Sequence, residues 1–215
     1  MTVLGSNLPM WSSPRLRTGD GRPPRAPIHL TCNRPARLIQ LPAFRGVPAH
    51  LSVKFNLLDK IESLSDDRIV ASKYVSLAEE YLADHFPTFP VLPGVMMLEA
   101  VTQAAGWLLH RRHDFARSMV VLKEARNVKY GNFVAPGQFL RVEVEWVKPT
   151  DAGAVFKATG TVGTTQSVAG RFEIAYFNLA DRQPELAEVD ERLRQHNRQR
   201  WSLLEQSMRQ SAVAL

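Results

Sequence analysis

Over the run Leu140–Val147 apolar and charged side chains alternate, with Leu140, Val142, Val144 and Trp146 set against Arg141, Glu143 and Glu145. Successive side chains of a strand point to opposite faces, so this run predicts a strand with one dry face. Runs over Met119–Val128, Ala154–Val162 and Val168–Phe177 predict three more. The Gly- and Thr-rich turns between the later runs are short enough to predict antiparallel neighbours. Upstream, Val53–Leu64 and Arg68–Leu77 predict two strands joined through Ser65-Asp66-Asp67, and Glu79–Ala83 a helical turn.

One segment has a different period. Pro93-Gly94 opens a helix that runs to about Arg112 and is apolar nearly all round, with Val95, Met97, Val101, Ala104, Trp107 and Leu108 on different sides. A helix without a wet face must be enclosed by other elements. About six strands, with this helix between the second and third, predict an α+β fold: a curved antiparallel sheet wrapped around a long central helix, the hotdog arrangement. Residues 181–211 form a further helical pattern, with Leu186, Val189, Leu193, Trp201, Leu204 and Met208 on a ragged stripe. Asn197 and Arg200 interrupt that seam, which favours a helix lying on its own domain over a coiled coil. The expected division is therefore an irregular arm over 1–50, a domain over 51–180 and a helical extension over 181–215.

Charge sharpens this division. Residues 1–50 hold seven arginines and one acid, Asp20, which accounts for the whole net charge of +6, and eight of the 14 prolines. The rest of the chain balances, 20 basic residues against 20 acidic, so no nucleic-acid partner is expected of the domain. The arm resembles an organellar transit sequence in composition but lacks an amphipathic pattern, and a flexible extension is at least as good a reading. Met1–Met10 shows no secretory pattern. The lone Cys32 excludes an internal disulfide and fits a reducing, cytoplasmic setting. The apolar run Val91–Leu109 is interrupted by Pro93, Gly94, Glu99 and Gln103, which predicts a core helix and no membrane span. His110, His113 and Asp114 read better as a cation site at the negative end of the helix dipole than as metal ligands, so no metal is expected, and no phosphate loop is present.

The chemistry concentrates between Asp84 and Ala100, D-H-F-P-T-F-P-V-L-P-G-V-M-M-L-E-A. Glu99 lies five residues after Gly94, flanked by Met96, Met97, Leu98, Ala100 and Val101, with no lysine or arginine at helical spacing. Burial of such a carboxyl is expected to raise its pKa and keep its proton on, as a general acid requires. His85 is the candidate base. Gly94, directly after Pro93 at a helix start, offers an unhindered N–H to a developing oxyanion.

The segment from His85 to Ala100 resembles the signature H-F-P-G-x-P-V-x-P-G-V-L-x-x-E-A of the (3R)-3-hydroxyacyl-acyl carrier protein dehydratases of FabZ type, with the spacing of fourteen between histidine and glutamate kept. Ser72-Lys73-Tyr74-Val75-Ser76 is similar to the strand leading to the family's active-site loop, and N-V-K-Y-G-N-F-V-A-P-G over Asn127–Gly137 to a later segment; the likeness covers roughly Leu51–Leu179. The resemblance implies a cofactor-free dehydratase of fatty acid synthesis, acting on 3-hydroxyacyl chains held by acyl carrier protein. It implies that His85 removes the C2 proton, that Glu99 protonates the departing C3 hydroxyl, and that the Gly94 amide holds the thioester carbonyl. It further implies that the Val91 carbonyl orients the imidazole, and that Phe89 and Pro93 are among the substrate-binding positions. Histidine and glutamate of one site come from different subunits in that family, so a homodimer is the implied minimum, with a trimer of dimers as a further assembly. Glutamate at 99, and Phe89 where the dehydratase-isomerase branch has aspartate, make isomerisation the lesser expectation.

Two positions depart from the signature: Thr88 and Asp84 stand where glycine is usual. Asp84 could raise the His85 pKa if close to it. These departures are the best sequence argument for a non-catalytic acyl-binding or scaffold subunit, while an acyl thioesterase, with Glu99 activating water, would keep the fold. Arg111, Arg112, Arg117, Lys123, Arg126 and Lys129 offer a basic face for an acidic carrier protein.

Overall fold

The computed structural model describes residues 55–213, with side chains to residue 209. The expectations for the basic arm and Cys32, and the start of the strand expected from Val53, lie outside the described residues.

Six strands form one sheet: β1 (Lys60–Leu64), β2 (Arg68–Tyr74), β3 (Met119–Tyr130), β4 (Phe139–Thr150), β5 (Gly153–Val162) and β6 (Thr165–Phe177). Their order is β1-β2-β4-β5-β6-β3, and every neighbouring pair is antiparallel. The long helix α1 (Gly94–Arg112) touches β2, β3, β4, β5 and β6. Contact with five strands of one sheet requires that sheet to curve around the helix, and this is the hotdog fold.

Alternation along β4 does what the sequence predicts. Leu140, Val142 and Val144 are fully buried, while Arg141, Glu143 and Glu145 face outward. The outward charges pair across strands, Arg141 with Glu62 and Arg68 with Glu143, each at 2.7 Å. Exposed pairs of this kind contribute roughly 0–1 kcal/mol each, so they fix register more than they stabilise. The buried face carries the energy. Turn chemistry also follows the sequence: Gly163 opens the two-residue β5–β6 loop at φ +57, a conformation other residues rarely adopt.

Several boundaries differ from expectation: β2 stops at Tyr74, short of Leu77, and β3 and β4 run on to Tyr130 and Thr150. Residues Phe55–Leu58 do not extend β1, because the Phe55 carbonyl and the Leu57 N–H are bound by a helix side chain instead. Gln103 Oε1 accepts from the Leu57 N–H at 3.0 Å, and Gln103 Nε2 donates to the Phe55 carbonyl at 3.1 Å. The segment therefore docks Leu57 and Leu58 into the core beside α1 without joining the sheet. The C-terminal pattern resolves into two short 3-10 turns, Leu179–Asp181 and Pro184–Leu186, followed by α2 (Ala187–Val213).

α2 supplies part of what α1 lacks. Trp201 is buried against Trp107 of α1, ring centroids 5.8 Å apart, and the Arg111 guanidinium covers the Trp201 ring. Asp190, at the start of α2, accepts from the Ser118 hydroxyl and from the Leu179 and Ala180 N–H groups at 2.9 and 2.8 Å. Burial acts to raise the Asp190 pKa, but these hydrogen bonds outweigh it and hold the carboxyl below its usual range. No described helix is long and apolar enough to cross a membrane.

Candidate active site

His85 is placed by the end of β2 and the proline-rich loop. The buried Lys73 ammonium pairs with Glu79 at 2.8 Å, and the same carboxylate oxygen accepts from the Ser76 N–H, which fixes the chain as it leaves the sheet. A 3-10 turn (Glu80–Leu82) follows, with Leu82 buried. Beyond it Phe86 and Phe89 exchange backbone bonds, and the Val91 N–H donates to the His85 carbonyl at 3.0 Å. The loop thus closes on itself around the histidine. Lys73 is a positioning residue that sequence reading passed over, because a lysine in a strand gives no sign of being buried.

The imidazole is oriented by backbone. His85 Nδ1 lies 3.0 Å from the Val91 carbonyl oxygen, which can only accept, so Nδ1 carries the hydrogen and Nε2 keeps its lone pair. Pro93 has no N–H to lose and starts α1 directly after this loop. Among the described residues nothing accepts the Gly94 N–H, which leaves it as a donor at the positive end of the helix.

His85 and Gly94 line one cavity of about 400 Å³ together with Leu92, Met97, Tyr130 and Phe133. The sequence-distant Asn127–Gly137 segment reaches the site through three contacts. Leu92 N–H donates to the Val134 carbonyl at 2.8 Å, Phe89 stacks edge-on against Phe133 at 5.8 Å, and a Cβ on Gly94 would meet the Tyr130 ring at 3.0 Å. Phe86, Tyr130 and Phe133 are exposed rings lining this cavity, and Phe89, also exposed, stands against Phe133 outside it. Exposed aromatics in one patch mark a surface meant to be covered.

Glu99 lines a different cavity of about 180 Å³, and the two cavities share no lining residue. In the single chain Glu99 is half-buried, not enclosed, and accepts from Gln103 Nε2 at 2.9 Å. The expected enclosure of Glu99 is therefore not completed among the described residues. Among the described residues His85 and Glu99 line no common cavity.

The two departures from the signature are surface features. Asp84 is exposed and makes no ion pair with His85. Thr88 is exposed in the Phe86–Phe89 turn and is not among the described residues with positive φ, so no backbone demand for glycine exists there.

The histidines at the end of α1 contradict their sequence reading. His110 is buried, and desolvation lowers its pKa to about 4, so the ring is neutral at pH 7 and not a cation at the helix terminus. His113 is also lowered, by burial first and then by Arg112 and Arg117. The dipole's attraction for charge is outweighed by loss of water. No group of metal-ligating side chains occurs among the described residues. Most of the basic run is engaged internally: Arg112 stacks on Trp146 and donates to the Asp66 carbonyl, Arg117 donates to the Tyr176 carbonyl, and Lys123 and Arg126 pair with Glu173 and Glu124. Lys129 alone of the six has no such partner among the described residues.

Comparison with known proteins matches this domain. The FabA-like domain covers residues 51–170. The chain is 36% identical over 121 residues to the 3-hydroxyacyl-[acyl-carrier-protein] dehydratase FabZ of Lactococcus lactis subsp. cremoris (strain SK11), covering 56% of this chain and 84% of that protein. It is 34% identical over 121 residues to the FabZ of Clostridium perfringens (strain SM101 / Type A), covering 56% and 87%. It is 40% identical over 109 residues to that of Solibacter usitatus (strain Ellin6076), covering 50% and 67%. A curved six-stranded sheet around one helix, with histidine and glycine at the helix mouth and this match across the domain, places the chain in the FabA-like family, beside the FabZ-type dehydratases.

Proposed function

We propose that this chain dehydrates (3R)-3-hydroxyacyl thioesters on acyl carrier protein to trans-2-enoyl thioesters and water, in fatty acid synthesis, with His85 as base and Glu99 of a second copy as acid. The observation that carries the reading is the His85 ring held through Nδ1 by the Val91 carbonyl, in one apolar cavity with the uncommitted Gly94 N–H.

The chemistry follows from that arrangement. His85 Nε2 takes the C2 proton, and the electron pair moves onto the thioester oxygen, where the Gly94 N–H stabilises it. Collapse of this enolate forms the C2–C3 double bond and expels the C3 hydroxyl, which leaves as water with the Glu99 proton. Proton transfer by a positioned side chain contributes roughly 10²- to 10⁴-fold, and one oxyanion donor about 3 kcal/mol of barrier.

A second copy is needed because the two groups line separate cavities. β3 is an edge strand, and it touches both: Val120 near its start lines the Glu99 cavity, and Tyr130 at its end lines the His85 cavity. Antiparallel pairing of two β3 edges about a two-fold axis sets the start of one strand beside the end of the other. Each Glu99 then faces the partner's His85 cavity, and two equivalent sites form in a homodimer.

The test is formation of enoyl thioester by wild type, His85→Ala and Glu99→Gln. A fall of about 10²-fold or more in kcat for each variant is expected. Unchanged turnover in both, or release of free thiol without enoyl product, contradicts the reading.

A further inference from the structure

The Glu99 cavity continues beyond the acid along one stripe of α1. Thr102, Gln103, Gly106, Trp107 and His110 follow Glu99 at helical spacing, and the far wall is made by Asn197 and Arg200 of α2. α2 lies beyond residue 170, where the FabA-like match ends. The wall therefore belongs to a part of this chain outside the matched domain.

That wall is polar and incompletely satisfied. Arg200 is half-buried, its guanidinium 5.7 Å from the Trp107 ring centroid, and it makes no ion pair among the described residues. Asn197 Nδ2 donates to the Ser118 carbonyl at 3.3 Å and lies 3.4 Å from His110 Nε2. With Nε2 facing a donor, the neutral His110 ring carries its hydrogen on Nδ1, and buried Nδ1 has no partner. A half-buried cation without an anion costs free energy that a suitable ligand would recover. An alkyl chain end would leave Arg200 unmet, whereas a carboxylate would pair with it.

We propose that α2 makes this cavity a receptor for the far end of the acyl chain and selects short 3-hydroxyacyl chains that end in a carboxylate, held by Arg200 beside Asn197 and His110. This rests on Glu99 being the acid, since the chain beyond C3 then enters the cavity Glu99 opens. A space of about 180 Å³ holds roughly a benzene-sized group, which suits the three terminal carbons and the carboxylate oxygens of a six-carbon dicarboxylate half-thioester.

The proposal is tested with 3-hydroxyadipyl, 3-hydroxyhexanoyl and 3-hydroxydodecanoyl thioesters on the same acyl carrier protein. Wild type should favour adipyl over hexanoyl by about tenfold in kcat/KM, chiefly through KM, and dodecanoyl should be the poorest substrate. Arg200→Leu should bring the adipyl-to-hexanoyl ratio within about threefold of unity, and Arg200→Lys should retain part of the preference. Arg200→Gln, closer in shape, gives the same readout should the leucine variant fail to fold. Wild type that dehydrates hexanoyl or dodecanoyl as well as adipyl, or a ratio unchanged in the Arg200 variants, overturns the proposal and leaves the dehydratase reading standing. No turnover of any of the three by wild type contradicts the dehydratase reading itself and removes the selector with it.

Discussion

Gly94 has two demands on it, a free N–H and room for the Tyr130 ring. A Cβ there would lie 3.0–3.3 Å from three ring atoms, so alanine should displace Tyr130 into the cavity. Gly94→Ala should lower kcat by about tenfold or more while changing stability by less than about 1 kcal/mol, since alanine is the better helix former. Steady-state kinetics beside a denaturant titration separates the two effects. His110 makes a prediction in pH. Its folded pKa, about 4, lies below the ordinary 6.5, so between these values the unfolded chain binds a proton that the native one does not. Its contribution is present above pH 6.5 and is lost as pH falls towards 4, with an upper bound of about 3 kcal/mol. The fall in unfolding free energy from pH 7 to 4.5 should be smaller in His110→Gln than in wild type; equal falls would contradict the assignment. That His85 and Gly94 stand together was legible in the sequence, because one loop and one helix start set their spacing. That His110 is buried was not, because its burial depends on Phe115, Tyr176 and α2, none of which lies at helical spacing from it.

Among the elements, α1 was readable from its long unbroken apolar run, β4 from its alternation, and the other later strands from apolar runs set off by turn residues. β1 was overextended for a physical reason: Leu57 and Leu58 are buried as a strand's residues would be, but the Phe55 carbonyl and the Leu57 N–H are taken up by Gln103. α2 was visible as a helix, yet its role was not, since Asn197 and Arg200 read only as breaks in an apolar stripe and in fact face the Glu99 cavity. The helix is held mainly at Trp201 and Asp190. Trp201→Ala should cost about 3–5 kcal/mol if α2 is an integral part of the core, read as a shifted denaturant midpoint. A cost below about 1 kcal/mol would mean that α2 detaches without consequence for the domain.

At the scale of the whole molecule the central observation is that His85 and Glu99 line separate cavities of one protomer. β3 runs from one cavity to the other, and among the described residues its outer edge pairs with no strand. The motif's spacing could not reveal this, because His85 and Glu99 are fourteen residues apart whether they meet within one chain or across two. The most direct measurement is subunit complementation between His85→Ala and Glu99→Gln, each purified, mixed and allowed to exchange. A mixed dimer would contain one site with both groups intact, so random pairing should restore about a quarter of wild-type enoyl formation. Activity that stays at the level of the separate variants, after exchange has been shown, would contradict a site shared between two copies.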